Sequence, residues 1–238
     1  MSTALADVPR NDLIFSIGGD GTFLHSVVNI RNFNIPVVGV NSGRLGFLAD
    51  ISEEQIRDAL SDIFDNKYSI VERSMLQVDY LGGKTPDFNF ALNEMAVLKT
   101  DSSSMMNITA QCDRTLLNNY WADGLIIATP TGSTAYSLSV GGPILTPDSE
   151  NFVITPLAPH NLTIRPLVVP DKCEITLRVE GRGAHFLTSL DYRSEAVEFS
   201  TKLKIKKAKE TLKTLQMPGQ DFFNTLRNKL MWGFDKRN

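Results

Sequence analysis

The sequence predicts an α/β N-terminal domain with a parallel sheet, then a mainly β C-terminal domain, and a last helix that packs back on the first domain. Three observations carry this reading. Strand-like and helix-like runs alternate up to about residue 65, short apolar alternations with little helix between them fill 66–220, and an amphipathic segment closes the chain over 221–238. The domains are therefore placed at 1–65 with 221–238, and at 66–220. A chain of 238 residues can bury enough apolar surface for this without staples.

In the first part, DLIFSI reads as a short buried strand, GGDG as a turn, and TFLHSVVNIRNF as a helix with Phe23, Leu24, Val27 and Val28 on one face. Ile35 to Val40 is a second apolar run, ending in the turn-like NSGRLG. Ser52 reads as the N-cap of a second helix and Gln55 as its capping-box partner, with Ile56, Ala59, Leu60, Ile63 and Phe64 at helical spacing. Beyond residue 66, SMLQVDYL, FNFALNEMAVLK, MNITAQCD, CEITLRVEG and AVEFS read as strands. Ile175, Leu177 and Val179 alternate with Glu174, Thr176, Arg178 and Glu180, so one face is apolar and the other wet. Leu203 and Ile205 alternate likewise with Lys202, Lys204 and Lys206. In a slightly acidic chain, that lysine run reads as a solvated, aggregation-blocking strand face rather than a polyphosphate or nucleic-acid stripe. In the tail, Asp221 is the expected N-cap of a helix with Phe222, Phe223, Leu226 and Leu230 on one face.

Lys+Arg 24 against Asp+Glu 27 gives a net charge of −3, which with 42% hydrophobic residues excludes a basic nucleic-acid binder and an acidic disordered tail. Cys112 and Cys173 have no C-x-x-C spacing and no nearby histidine, so neither a zinc knuckle nor a disulfide framework is expected, and a reducing compartment is the default. The opening MSTALADVPRND has neither a positive nor an apolar targeting region, and no run approaches the ~18 apolar residues of a membrane span. A cytoplasmic protein with no membrane partner is expected.

Two turns carry candidate chemistry. Gly18-Gly19-Asp20-Gly21-Thr22 stands where a strand hands over to a helix, the place where α/β folds present backbone N–H groups to anions. It is neither a Walker A loop nor the dinucleotide fingerprint, since Leu24 occupies the third glycine position. A carboxylate there repels phosphate, so Asp20 reads either as a base or hydroxyl acceptor, or simply as a cap in a tight turn. The second turn, ATPTGSTAYS, follows the apolar run GLII; Thr131, Ser133 and Thr134 offer hydroxyls at an expected helix N-terminus, unless ordinary local capping consumes them. Asn93-Glu94 interrupts an apolar strand and either straddles the sheet or meets a ligand at its end. His25 lies about one helical turn beyond Asp20, on the same helix. No protein-built metal site and no nucleophile elbow are legible, whereas phosphoryl transfer needs only held phosphates, Mg²⁺ and one proton acceptor.

With GGDGTFLHS, LNEMAVLK, ADGLIIATPTGSTAYSLSVGGPI and APHNLTIRPLVVP in this order, the chain resembles the NAD kinase family, which makes NADP from NAD and ATP or, in some members, polyphosphate. The resemblance runs from about residue 12 to the C-terminal helix. Its first motif is shared with diacylglycerol and sphingosine kinases, and the block from Asp123 to Pro143 makes it specific. It implies NAD at the junction of the two domains, and a homo-oligomer, dimer or tetramer. It also implies roles for individual residues: Asp20 as the general base for the adenosine ribose 2′-hydroxyl, with Gly21 in the same contact, and His25 near the phosphates. Asn93 and Glu94 resemble the pair around the adenosine portion, and Asp123 the contact to the other half of the dinucleotide. Thr134, Ala135, Tyr136, Ser137, Leu138, Ser139 and Ala158 match positions lining the NAD pocket.

Three departures stand against it. Trp121 occupies a position where many members carry a basic residue, and Asp191-Tyr192-Arg193 replaces an Asp-Gly step, so Asp191 and Arg193 are not expected to bind. The chain also starts one strand before GGDGT, where members normally have a further strand-helix unit, which suggests a truncated gene model and an uncovered apolar face. The expected activity is that of an NAD kinase using ATP with Mg²⁺ or another divalent cation. A non-catalytic NAD(P)-binding module is the alternative; a lipid kinase is disfavoured for want of a basic membrane-facing helix.

Overall fold

A computed structural model describes residues 13–30, 33–43, 45–100 and 105–233. The opening MSTALADVPRND and Arg44 of the NSGRLG turn lie outside the described residues. The chain forms two compact units, one from the residues up to Arg73 together with those from Thr211 onward, the other from Ser74–Glu210. Both divisions fall within long strands, β3 (Ser69–Leu81) and β14 (Lys202–Gln216).

In the first unit, β1 (Ile14–Ile17) runs parallel to β2 (Val37–Val40), with α1 (Asp20–Asn29) between them in sequence, and the end of β14 joins β2 in parallel at Thr214. This is the strand-helix-strand order that the alternation predicts. Phe23, Leu24 and Val27 of α1 are buried; Val38, Val40, Ile51, Ala59, Leu215 and Met217 form a core against Ile56, Ile63 and Tyr68. On β1, Phe15 and Ile17 remain 40% and 62% exposed. The second helix, α2 (Ile56–Phe64), starts later than its capping signal suggests. Gln55 Oε1 does accept the Ser52 N–H at 3.2 Å, half of the expected box, but 53–55 form a turn stitched by three-residue bonds before the helix proper. The last helix, α4 (Phe222–Leu230), is capped as expected by Asp221, whose Oδ1 accepts the Asn224 N–H at 2.8 Å. Leu226 is its buried residue, and Phe222 lies 6.4 Å, ring to ring, from Phe47.

Among its described residues the second unit has β-strands as its regular structure, apart from one turn of 3₁₀ helix (Thr131–Thr134) and the single-turn α3 (Tyr136–Ser139). β4 (Phe90–Ala91) pairs with β3; β6 (Met106–Cys112) lies between β7 (Thr115–Ala122) and β11 (Ile175–Glu180), which in turn pairs with the start of β14. A second, antiparallel sheet has the order β10 (Leu167–Pro170), β9 (Asn151–Leu157), β8 (Gly124–Ala128), β5 (Glu94–Leu98), β12 (His185–Leu190) and β13 (Arg193–Glu198). Ile108, Ile175, Leu177 and Leu203 of the first set share a core with Leu125, Ile127, Phe152 and Phe186 of the second. On its other face, Ile126 and Ala128 pack with Val153, Val140 and Leu145, which is why β8 reads as an unbroken apolar run: it is covered on both sides.

Three expectations need correction. Cys112 and Cys173 are bonded to each other, with Cα atoms 5.6 Å apart; distance along the chain hides the β6–β11 pairing that puts Cys112 opposite Ile175 and so beside Cys173. The lysine face of β14 does not guard an edge, because β14 has partners on both sides; Lys204, Lys206 and Lys207 instead pair with Glu174, Asp79 and Asp171 at 2.6 to 2.9 Å. The helix expected after ATPTGST is reduced to two short turns broken at Ala135 (φ −102°, ψ −127°), too little for a helix dipole to act on a ligand.

Candidate active site

In the α/β unit, Asp20 opens α1, and Gly19, not Asp20, is the N-cap. The tight-turn capping alternative is thereby removed, because the Asp20 carboxylate turns away from its own helix. Oδ2 accepts the Phe47 N–H at 2.9 Å, and Oδ1 accepts those of Leu48 and Ala49 at 2.9 and 3.1 Å. Lys229 of α4 adds a fourth bond, its Nζ 3.0 Å from Oδ2. Burial works to raise this carboxyl, but the three N–H groups and the lysine outweigh it and hold Asp20 below its ordinary value of 3.8. Gly46 is required here: a Cβ on it would stand 2.0 Å from Asp20 Oδ1. Gly21 is exposed at the start of α1, and His25 is exposed one turn further on.

In the β unit, Asn93 and Glu94 sit at the break between β4 and β5, both buried. The break is held by Asp191 in the two-residue turn between β12 and β13, where it adopts φ 54°, a conformation aspartate tolerates in hairpin turns. Asp191 Oδ2 accepts the Leu92 N–H at 3.0 Å, and Oδ1 accepts those of Asn93 and Glu94 at 2.8 and 3.2 Å. Arg193 donates to the carbonyls of Phe88 (2.6 Å) and Phe90 and stacks on the Phe88 ring. Thr129 closes the other side: its N–H donates to Asn93 O at 2.8 Å and its hydroxyl to Leu92 O. A Cβ on Gly132 would lie 2.0 Å from Asn93 O, so the 129–134 turn packs directly on the 92–94 segment.

Burial, together with the neighbouring Asp191 carboxylate, pushes Glu94 up to about 8, and burial raises Asp191 against the pull of its three N–H donors and Arg193. Two carboxyl groups this close and this dry retain a proton at neutral pH. Glu94 Oε2 is buried with no hydrogen-bond partner, as is the Thr131 hydroxyl. The other hydroxyls of the turn are consumed locally: Ser133 bonds Pro130 O and the Leu145 N–H, Thr134 bonds Thr131 O, and Ser137 bonds Thr155. Of the expected pocket residues, Ala135 and Leu138 are half-buried, and Tyr136 and Ser139 exposed.

Asp123 and Ala158 form a separate group. Asp123 precedes β8 while Thr129 follows it, and that strand puts about 20 Å between them. Asp123 pairs with Lys99 at 2.7 Å, and its N–H donates to Leu157 O, beside Ala158. Ala158 is exposed and adopts φ 44°, an uncommon conformation for a residue with a Cβ. Exposed Trp121 accepts the His160 N–H on its carbonyl. The sequence gives no role to Thr129, Lys99 and Lys229, and the departure from the family pattern argues against Asp191 and Arg193. An aspartate opening a two-residue turn was the visible signal for Asp191; a lysine in the last turn of a helix is too ordinary to signal anything.

Sequence models of two families match the chain: the ATP-NAD kinase N-terminal domain over residues 7–68 and the ATP-NAD kinase C-terminal domain over residues 92–217. The chain belongs to the NAD kinase family. It is 46% identical over 236 residues to an NAD kinase of Cytophaga hutchinsonii, a match covering 99% of this chain and 81% of that protein. Among solved structures it is similar to yeast NADH kinase complexed with NADH (TM-score 0.85, 26% identity, 95% of this chain and 67% of that one). It is also similar to an NAD kinase from Archaeoglobus fulgidus in complex with ATP (TM-score 0.79, 27% identity, 91% and 83%). The family resemblance read from the motifs therefore holds, as does the α/β-plus-β fold class. Among the described residues no helix is long and apolar enough to cross a membrane.

Proposed function

We propose that this chain is an NAD kinase that transfers the γ-phosphoryl group of ATP to the 2′-hydroxyl of the adenosine ribose of NAD. The observation that carries this is the carboxylate of Asp20, fixed at the glycine turn of a chain that belongs to the NAD kinase family. The 2′-oxygen bonds to the γ-phosphorus, the bond to the β,γ-bridging oxygen breaks, ADP leaves, and the hydroxyl proton passes to Asp20.

Gly21 and His25 are assigned to the same contact and to the phosphates. Asn93 and Glu94 are assigned to the adenosine portion, where a neutral Glu94 has an O–H to donate. Asp123 is assigned to the other half of the dinucleotide, and Thr134 to Ser139 with Ala158 to the pocket lining; the mainly β region 66–220 is the NAD-binding domain. The divalent cation enters with ATP as substrate. Among the described residues the one cluster with metal-ligand spacing is Cys112, Asp113 and Cys173, and its two sulfurs are bonded to each other, so it offers no oxygen shell for Mg²⁺. The family resemblance further supports a cytoplasmic homo-oligomer.

The test is NADP formation from NAD and MgATP, with Asp20→Asn alongside. Turnover by the native chain, lost in the variant, is expected. NADP binding without turnover would select a non-catalytic NAD(P)-binding module.

A further inference from the structure

A carboxylate accepts about four hydrogen bonds, two on each oxygen. Asp20 already has four: Leu48 and Ala49 N–H on Oδ1, Phe47 N–H and Lys229 Nζ on Oδ2. A substrate hydroxyl gains this carboxylate only by displacing one of them. Three are backbone groups of a turn clamped from both sides, since a Cβ on Gly46 would lie 2.0 Å from Asp20 Oδ1 and one on Gly39 would lie 2.0 Å from Leu48 O. The fourth is an ammonium on a flexible four-carbon stem, 28% exposed, which while bonded to Oδ2 also sits 4.5 Å from the centre of the Phe47 ring.

We propose that Lys229 holds the exchangeable position on Asp20, so that the acceptor hydroxyl replaces its ammonium on Oδ2 when NAD binds. This rests on reading Asp20 as the base. Lys229 is then a positioning residue with two effects. It competes with the hydroxyl for Oδ2, and it keeps the resting carboxylate a poor base until the hydroxyl arrives; its departure raises the proton affinity of Asp20 at the step that needs it. The other charges facing Asp20 are Asp50, just beyond the turn, and Arg73 of β3, which oppose each other and stay in place when Lys229 is removed.

The test compares K229M and K229R with the native chain in NADP formation across pH. K229M is expected to lower the KM for NAD and to move the acid limb of kcat/KM upward by roughly one pH unit, the usual reach of a single opposite charge; K229R is expected to keep the native limb. A native chain that makes no NADP overturns the kinase reading and this proposal with it. An active native chain with a K229M whose KM and acid limb are unmoved, or whose kcat alone collapses, overturns the exchange and leaves the kinase reading standing. Should K229M not fold, the native chain decides: saturation with NAD is expected to speed acylation of Lys229 by an amine-reactive ester, read by peptide mass spectrometry, and slower or unchanged labelling overturns the proposal.

Discussion

Asp20 in the α/β unit and Asp191 in the β unit are each gripped by three consecutive backbone N–H groups, 47–49 in one case and 92–94 in the other. Their chemistry nevertheless diverges. Asp20 is partly open and carries a lysine on a flexible stem, so its donors prevail and its carboxyl is held low. Asp191 lies deeper, beside Glu94, and desolvation prevails: both carboxyls are pushed up. The same cage thus holds a carboxyl below its ordinary value in one place and above it in the other. What separates them is burial and the neighbouring charge, not the cage.

The largest effect is expected of Asp20→Asn. If Asp20 is the reacting carboxylate, kcat falls by ~10²–10⁴ while NAD binding, followed by calorimetry, persists. A near-native kcat would make Asp20 a clamp like Asp191. The reciprocal change, Asp191→Ala, leaves three N–H groups without their acceptor and is expected to cost about 3 kcal/mol or more of stability in urea unfolding. A neutral result there would deny Asp191 its clamping role. Gly46→Ala and Gly132→Ala press a methyl group into each cage, against Asp20 Oδ1 and Asn93 O, and are expected to cost roughly 1–3 kcal/mol each. Only the first should also alter the pH dependence of turnover.

A further effect concerns pH. Glu94 is raised from 4.5 to about 8, so between those values the folded chain holds a proton that the unfolded chain releases, and stability falls as pH rises through that window. Glu94→Gln should flatten the decline in Tm between pH 5 and pH 8. Asp20 has the opposite sign: its contribution is present above its ordinary value of 3.8 and is lost as pH falls through its lower folded value. A parallel pH dependence in native and E94Q chains would remove the proposed proton from the β unit.

Much of the fold was legible because apolar alternation is local. The runs at Ile14–Ile17, Val37–Val40 and Ile175–Glu180, the cap at Asp221 and the buried face of α1 follow from spacing alone. The short helix after Thr134 was overestimated because propensity outside a long periodic segment is a weak prior, and the packing of this turn on Asn93 overrode it. Asp20 was legible as a candidate through its glycines, and Asn93-Glu94 through an interruption in an apolar strand. Asp191 and Arg193 were set aside because the residues around them departed from the expected pattern, although the positions they occupy do the holding.

By itself the sequence determined the order of strands and helices, the two glycine-bearing turns and the family, since each is written in residues close together along the chain. Tertiary structure alone decided what those turns do. Lys229 reaches Asp20 across 209 residues, Asp191 reaches Asn93 across 98, and Cys112 meets Cys173 across 61. A carboxyl's proton affinity depends on burial and on charges within a few ångströms, and both are set by which distant segments pack together.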